Sequence, residues 1–401
     1  MQGWCARRNG FQQQQSRDIQ SLKSQLKEKQ LSRLTLGRLK SQLSAKQQYL
    51  QQIESHLQPM VHFSRDFYPQ SNALIAKNQG VDSYINNLFR DWAWDNGENE
   101  EMLSAIEDIV PQSFNAGAVI TLGAGGSRLS YDFHHQYFAA HSVLLDINPV
   151  LLGAAGKIIA GGKFSLYEFP VAPLGKNNFS IRHQCKLPEK TGKTDLNNFT
   201  FILGDVLNVP FKKGTFDTVL TPWLIDIIPI DFKQFIPHVS RLLKPGGLWL
   251  NIGSLAFFHQ QANWHYSDEE VIDLLEKFGF EVILHCRREI NYLRSPHSAN
   301  GRIENLFCFS ARKKFATVSA KPHQYLPQWI QSTARAIPVQ EQLIVSSSRY
   351  LLQAQVLSAI DGNRSIVDIG RMVAQQYKMS EQSAYEAVRQ ILIENQQADF
   401  P

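Results

Sequence analysis

The stretch Ala118-Val-Ile-Thr-Leu-Gly-Ala-Gly-Gly-Ser-Arg-Leu129 decides the fold. Apolar β-formers run straight into Gly123, Gly125 and Gly126, and Arg128 and Leu129 then open a helix. With no Cβ in the way, the backbone of such a turn comes close to a ligand. The helix N-terminus behind it offers free N–H groups and the positive end of a dipole. The stretch predicts the nucleotide-type crevice of an open α/β sheet. The plainer alternative is a tight turn without a ligand, since glycine turns follow many strands.

The next apolar run, Ser142-Val-Leu-Leu-Asp146, ends in an acid 23 residues after Gly123. An acid at the end of the second strand is where ribose hydroxyls are gripped. A nicotinamide dinucleotide and S-adenosylmethionine (SAM) both use this arrangement. The dinucleotide pattern wants a third glycine where this chain has Arg128. Downstream, Phe201-Ile-Leu-Gly-Asp205, Phe216-Asp-Thr-Val-Leu-Thr221 and Leu242-Leu-Lys-Pro-Gly-Gly-Leu-Trp-Leu-Asn251 follow in order. This series resembles the strand motifs of class I SAM-dependent methyltransferases. The resemblance implies a Rossmann-like sheet, SAM as cofactor, and Asp205 with Val206 at the adenine.

A second resemblance is narrower. Leu88-Phe-Arg-Asp-Trp92, followed by Glu98 and Glu100, is similar to the Arg-Asp-Trp segment of the carnosine N-methyltransferase family. That family's glycine turn reads Gly-Ala-Gly-x-Gly-Arg-Leu, and Gly123 to Leu129 match it except that Ser127 replaces the last glycine. Lys163 to Phe169, Trp223-Leu-Ile-Asp226, Leu242 to Gly253 and Tyr266 to Leu284 match in order, over roughly residues 30 to 315. The resemblance implies that Arg90, Asn87 (where the family usually has Gln), Gly123, Gly125, Asp146 and Asp205 hold SAM. Pro222, at the end of the fourth strand, is counted with them. It also implies Asp226 as the substrate-binding carboxylate, with His259 as a second polar group offset by one residue from the family's spacing. The family's paired tyrosines fall near Gly301 and Ile303, so carnosine is expected to be a poor acceptor or none.

At 401 residues, 43% hydrophobic and 19% charged, the chain has room for two or three globular domains. No apolar run approaches the roughly 20 residues that span a bilayer, and no apolar core follows the basic N-terminus as in a secretory signal. Cys5, Cys185, Cys286 and Cys308 are scattered, which predicts free thiols in a reducing cytoplasm. His183 and Cys185 lack a second ligand pair, so no metal is expected. Of the net charge of +5, residues 1–60 carry ten Lys/Arg against three acids. Such an arm can touch nucleic acid, but a solvated helix face is the favoured reading.

Residues 11–58 predict one or two amphipathic helices with a candidate break at Gly37. Val81 to Trp94 predicts a helix capped by Asp82 or Ser83, with Asn87, Arg90 and Asp91 on or beside one face. A second helix follows from Glu98 to Val110. The long connection between Asp146 and Phe201 reads as a cover on the substrate side. Ser267 and Glu270 stand at capping-box spacing. Pro322, Pro327 and Pro338 mark a linker. The expected domains are an N-terminal helical region at 1–80, the methyltransferase domain at 81–315, a linker at 316–338 and a small domain at 339–401. The run Ile360-Asp-Gly-x-x-Ser-Ile-x-Asp-Ile369 before two helices resembles PqqD-like winged-helix modules, which bind peptides by strand addition. A generic helical packing domain is the alternative.

These readings leave two functions open. One is methyl transfer to an imidazole- or amine-bearing small molecule or peptide, with Asp226 accepting an N–H so that the other nitrogen keeps its lone pair. Asp226 as a plain helix cap is the bland alternative. The other is a non-catalytic protein on the same fold that recognises a peptide through the C-terminal module.

Overall fold

The computed structural model describes residues 2–28, 30–66, 81–188, 196–257, 259, 261–315, 334, 336–337 and 351–398. They fall into two compact units, described separately: residues 8–315 in the larger, and residues 334–398 together with residues 2–7 in the smaller.

In the larger unit the sheet is built from β1 (Ala118–Leu122), β2 (His141–Asp146), β5 (Phe199–Leu203), β6 (Phe216–Pro222), β7 (Leu243–Gly253), β8 (Phe280–Tyr292) and β9 (Arg302–Lys313). The strand order is β5-β2-β1-β6-β7-β9-β8. The first five are parallel; β9 enters antiparallel between β7 and β8. This is the predicted class I methyltransferase sheet, and β8, antiparallel to β9, ends on the same side as β6 and β7.

Period-two alternation gives the sheet two apolar faces. Leu248, Leu250 and Ile252 of β7 join Met102 and Ile106 of α4 (Glu98–Glu107) and Leu129 and Phe133 of α5 (Arg128–Gln136). Trp249 points the other way, against Phe232 and Phe235 of α7 (Phe232–Leu242) and against Phe280 and Phe309. Removing one such buried ring costs about 3–5 kcal/mol. β8 and β9 place Cys286 opposite Cys308, a proximity that the scattered cysteine spacing did not announce; both are free thiols.

Two expectations need correction. The N-terminal helices are α1 (Gln2–Gln25) and α2 (Arg33–Asp66), and Gly37 lies inside α2. The start signal is Ser32, whose hydroxyl accepts the Thr35 amide at 3.1 Å; an interior glycine costs only about 1 kcal/mol, which a helix of that length tolerates. The helix expected from Val81 begins later, as α3 (Asn86–Trp92), and has no side-chain cap. Tyr84 is in the left-handed region at φ +60°, which breaks any earlier helix. Asp82 is engaged with the Tyr49 hydroxyl instead of capping.

The long connection after β2 holds α6 (Pro149–Ile159) and a two-stranded hairpin, β3 (Phe164–Glu168) and β4 (Ile181–Cys185). Its loop bridges to the β8–β9 connection at Pro173↔Ser298, with the Ala299 amide donating to the Ala172 carbonyl at 2.7 Å. The capping box of α8 (Asp268–Lys277) is formed as expected, with Ser267 and Glu270 reciprocal.

The smaller unit holds α9 (Leu351–Ser358), α10 (Ile366–Tyr377) and α11 (Glu381–Ala398) around Ile337, Leu357, Ile369, Val388 and Leu392. Ser365 and Asp368 form the capping box of α10, and Ala336 pairs with Ser365 in a single β-bridge. Most of the predicted linker and the start of the small domain lie outside the described residues. Among the described residues no helix is long and apolar enough to cross a membrane.

Candidate active site

The glycine turn leaves β1 with Gly123 at φ +72° and Gly125 at φ +54°. The amides of Gly123 and Ala124 both donate to the Leu145 carbonyl of β2, and the Gly125 amide donates to Asp146 Oδ2 at 2.7 Å. The other Asp146 oxygen accepts the Asn148 amide at 2.7 Å. Burial raises the Asp146 pKa, and these amides oppose the shift. The Ile147 amide also bonds this carboxylate, which has about four acceptor positions, so about one remains for a ligand's hydroxyl. Asp205 follows β5 and accepts from the Leu207 amide and Asn208 Nδ2; Val206 beside it is half-buried.

The Arg-Asp-Trp segment of α3 docks on this turn. Trp92 Nε1 donates to the Gly126 carbonyl at 2.7 Å, and Asp91 Oδ2 accepts the Arg128 amide at 3.4 Å, at the start of α5. Asp91 Oδ1 holds Arg90 Nε at 2.7 Å, and Glu98 lies 3.7 Å from Arg90 Nη1. Burial works against the Arg90 charge, and Asp91 and Glu98 outweigh it. Asn87 Nδ2 stands 3.7 Å from where a β-carbon on Gly125 would be, and its buried Oδ1 has no hydrogen-bond partner among the described residues. Asn87, Arg90, Gly123, Gly125 and Asp146 are therefore gathered around one turn. A buried amide oxygen without a partner among the described residues, a charged guanidinium and an acid with a spare acceptor position are the groups an amino acid joined to a ribose requires.

Across the sheet's carboxyl edge, Pro222 ends β6 and the next residue, Trp223, is in the left-handed region at φ +52°. Three residues on, Asp226 is 5% exposed and caps no helix; the N-cap of α7 is Asp231. Burial pushes Asp226 up to about 6, and Glu304 of β9 pushes the same way. Hydrogen bonds from its own amide, the Ser254 hydroxyl and the Ala256 amide oppose them.

His259 has other neighbours. Its ring lies 5.1 Å from Trp264, its carbonyl accepts from His265 at 2.8 Å, and burial followed by His265 lowers its pKa while Asp231 raises it. Gly301 packs under Arg294 and Ile303 is 63% exposed.

Three features escaped sequence reasoning. Tyr292, the last residue of β8, lies 4.1 Å from the Trp223 ring. Trp223 itself takes a strained backbone. Glu168 of the hairpin accepts from Trp94 Nε1 at 3.0 Å and pairs with His183 at 2.6 Å. That partner, with the Cys185 thiol turned to the Leu88 carbonyl, accounts for both residues weighed as metal ligands. Tyr292 and Glu168 take their partners from segments far apart in sequence, and no local pattern announced the backbone at Trp223.

A parallel sheet with one antiparallel insertion, a glycine turn after its first strand and an acid after its second define the class I SAM-dependent methyltransferase architecture. Within that class the chain belongs to the carnosine N-methyltransferase family, whose model matches residues 68–314. The rat carnosine N-methyltransferase is 30% identical over 90 residues, 21% of this chain and 22% of the rat protein. That of Dictyostelium discoideum is 28% identical over 89 residues, 22% of this chain and 19% of that protein. The matched stretch thus spans about a fifth of these relatives' length. Among solved structures, a SAM-dependent methyltransferase from Methanosarcina mazei aligns with a TM-score of 0.34 and 15% identity, covering 52% of this chain and 96% of that one.

Proposed function

We propose that this chain transfers a methyl group from SAM to a nitrogen of a small imidazole- or amine-bearing molecule. Asp146 would hold the ribose hydroxyls, Asp205 and Val206 the adenine end, and Arg90 and Asn87 the amino-acid end, with Gly123 and Gly125 leaving room for the backbone to approach and Pro222 lining the site. When bound, SAM supplies a methyl group on a sulfonium, open to in-line displacement. The protein's task is to hold a nitrogen lone pair in line and exclude water.

The observation that carries the reading is Asp226, buried beside Ser254 at the carboxyl ends of β6 and β7 and ionising near neutral pH. A carboxylate there accepts an N–H of the acceptor, fixes which nitrogen keeps its lone pair, and stabilises the cation that forms. His259 would serve as a second polar group on that side, its neutral form favoured by burial. The smaller unit is inferred to be a PqqD-like module that takes a peptide by strand addition, supported by the Ala336–Ser365 bridge ahead of the α10 capping box. The free thiols Cys185, Cys286 and Cys308 fit a reducing cytoplasm.

Isothermal titration tests the cofactor. SAM should bind the wild type, and Asp146→Ala should weaken it by about 1.5–3 kcal/mol, the scale for a charged hydrogen-bond acceptor. Affinity for NADH with none for SAM would contradict the reading.

A further inference from the structure

Tyr292 is fixed as few surface phenols are. Its ring lies 4.1 Å from the Trp223 ring, and the Arg302 guanidinium sits 4.2 Å from its centroid. Trp223 is brought there by a backbone that side chains rarely adopt, φ +52°, with its amide tied to the Ile252 carbonyl at 2.7 Å. Gly253 permits the approach: a β-carbon on it would stand 3.2 Å from the Trp223 backbone. Strain of this kind persists where the surroundings over-determine it, and it clusters at functional sites.

The ring is held, the residue is half-buried, and its hydroxyl feels burial and nearby charges but takes no side-chain hydrogen bond among the described residues. A phenol kept only for packing gains nothing from its oxygen. Tyr292 ends β8, on the carboxyl edge that carries Pro222 and Gly253 and on the opposite half of the sheet from Asp146. It also stands in the fields of Arg90 and Glu98.

We propose that Tyr292 is an acceptor-binding residue whose hydroxyl donates to the molecule being methylated, at an oxygen or nitrogen other than the one that receives the methyl group. Asp226 then accepts an N–H of the acceptor while Tyr292 donates to it, so the two residues set its orientation by opposite hydrogen-bonding senses. Burial keeps the phenol protonated, so it remains a donor at neutral pH. A site built to hydrogen-bond its substrate rejects analogues that lack the matching group. The inference rests on the methyltransferase reading.

The test is Tyr292→Phe, which keeps the ring between Trp223 and Arg302 and removes one oxygen. Carnosine, histidine, histamine and imidazole are titrated into wild type and variant saturated with S-adenosylhomocysteine, and SAM is titrated into each protein alone. Turnover with labelled SAM gives KM and kcat for any acceptor found. The variant should bind the best acceptor about tenfold more weakly and raise its KM to match, with SAM affinity within twofold of wild type. Unchanged acceptor affinity overturns the proposal. A loss confined to SAM overturns it too and moves Tyr292 to the cofactor. A wild type that binds SAM but none of the four probes also counts against it, whereas a wild type without SAM affinity sinks the methyltransferase reading itself.

Discussion

The carboxylate of Asp91 lies against the α-carbon of Gly126, where a β-carbon would stand 2.3 Å from Oδ2 and 3.0 Å from Cγ. The same carboxylate holds Arg90 Nε and receives the Arg128 amide. Arg90 and the glycine turn are thus set by one side chain. Gly126→Ala should push Asp91 aside, unpair buried Arg90, and destabilise the fold by about 2–4 kcal/mol. Urea unfolding measures this, and a midpoint equal to wild type would show that Asp91 moves freely.

Ser127 is the position at which the glycine pattern is broken, and it takes the backbone a glycine would, φ +69°. Its hydroxyl is buried without a hydrogen-bond partner among the described residues. The left-handed conformation costs about 1–2 kcal/mol for a residue with a Cβ, and the orphaned hydroxyl about 1–3 kcal/mol. Glycine's unfolded-state entropy returns about 0.5–1 kcal/mol. Ser127→Gly should therefore raise stability by about 1–4 kcal/mol, read as a higher urea midpoint with an unchanged slope.

What could be read in the sequence was local. The strand-turn-helix at Gly123, the acid at Asp146 and the capping box at Ser267 are each written within a few residues, and each is in place. The start of α3 was misjudged because the left-handed turn at Tyr84 and the Asp82–Tyr49 contact leave no mark on local periodicity. Tyr292 was missed because its meaning depends on β9 entering between β7 and β8, a long-range pairing. Asp226 was singled out by resemblance. Its burial beside Ser254 and Glu304 comes from three segments that converge only in the fold.

The smaller unit has its own apolar core, from Ile337 to Leu392. A chain ended after Phe315 should keep its sheet and its SAM affinity, as an independently folding domain would. Circular dichroism and titration of the truncated protein check this. Collapse of the sheet would place both units in one cooperative core.

Asp226 also makes a pH prediction. Its pKa stands at about 6, above the ordinary carboxylate value, because burial disfavours the charge. The ionised form accepts the N–H, so kcat/KM should fall as pH drops through about 6. Ser254→Ala removes a hydrogen bond to the carboxylate and should move that limb upward; Glu304→Gln removes a like charge and should move it downward. A limb that stays put in both variants would assign it to another group.

The central claim is tested most directly by transfer of labelled methyl from SAM in wild type and Asp226→Ala, with SAM affinity measured alongside. The wild type should label an imidazole- or amine-bearing acceptor. Asp226→Ala should keep SAM affinity within about twofold and lose about a hundredfold or more in transfer, the scale of a positioned proton acceptor. Wild-type transfer by a folded Asp226→Ala protein, or a loss lying wholly in SAM binding, would contradict the account.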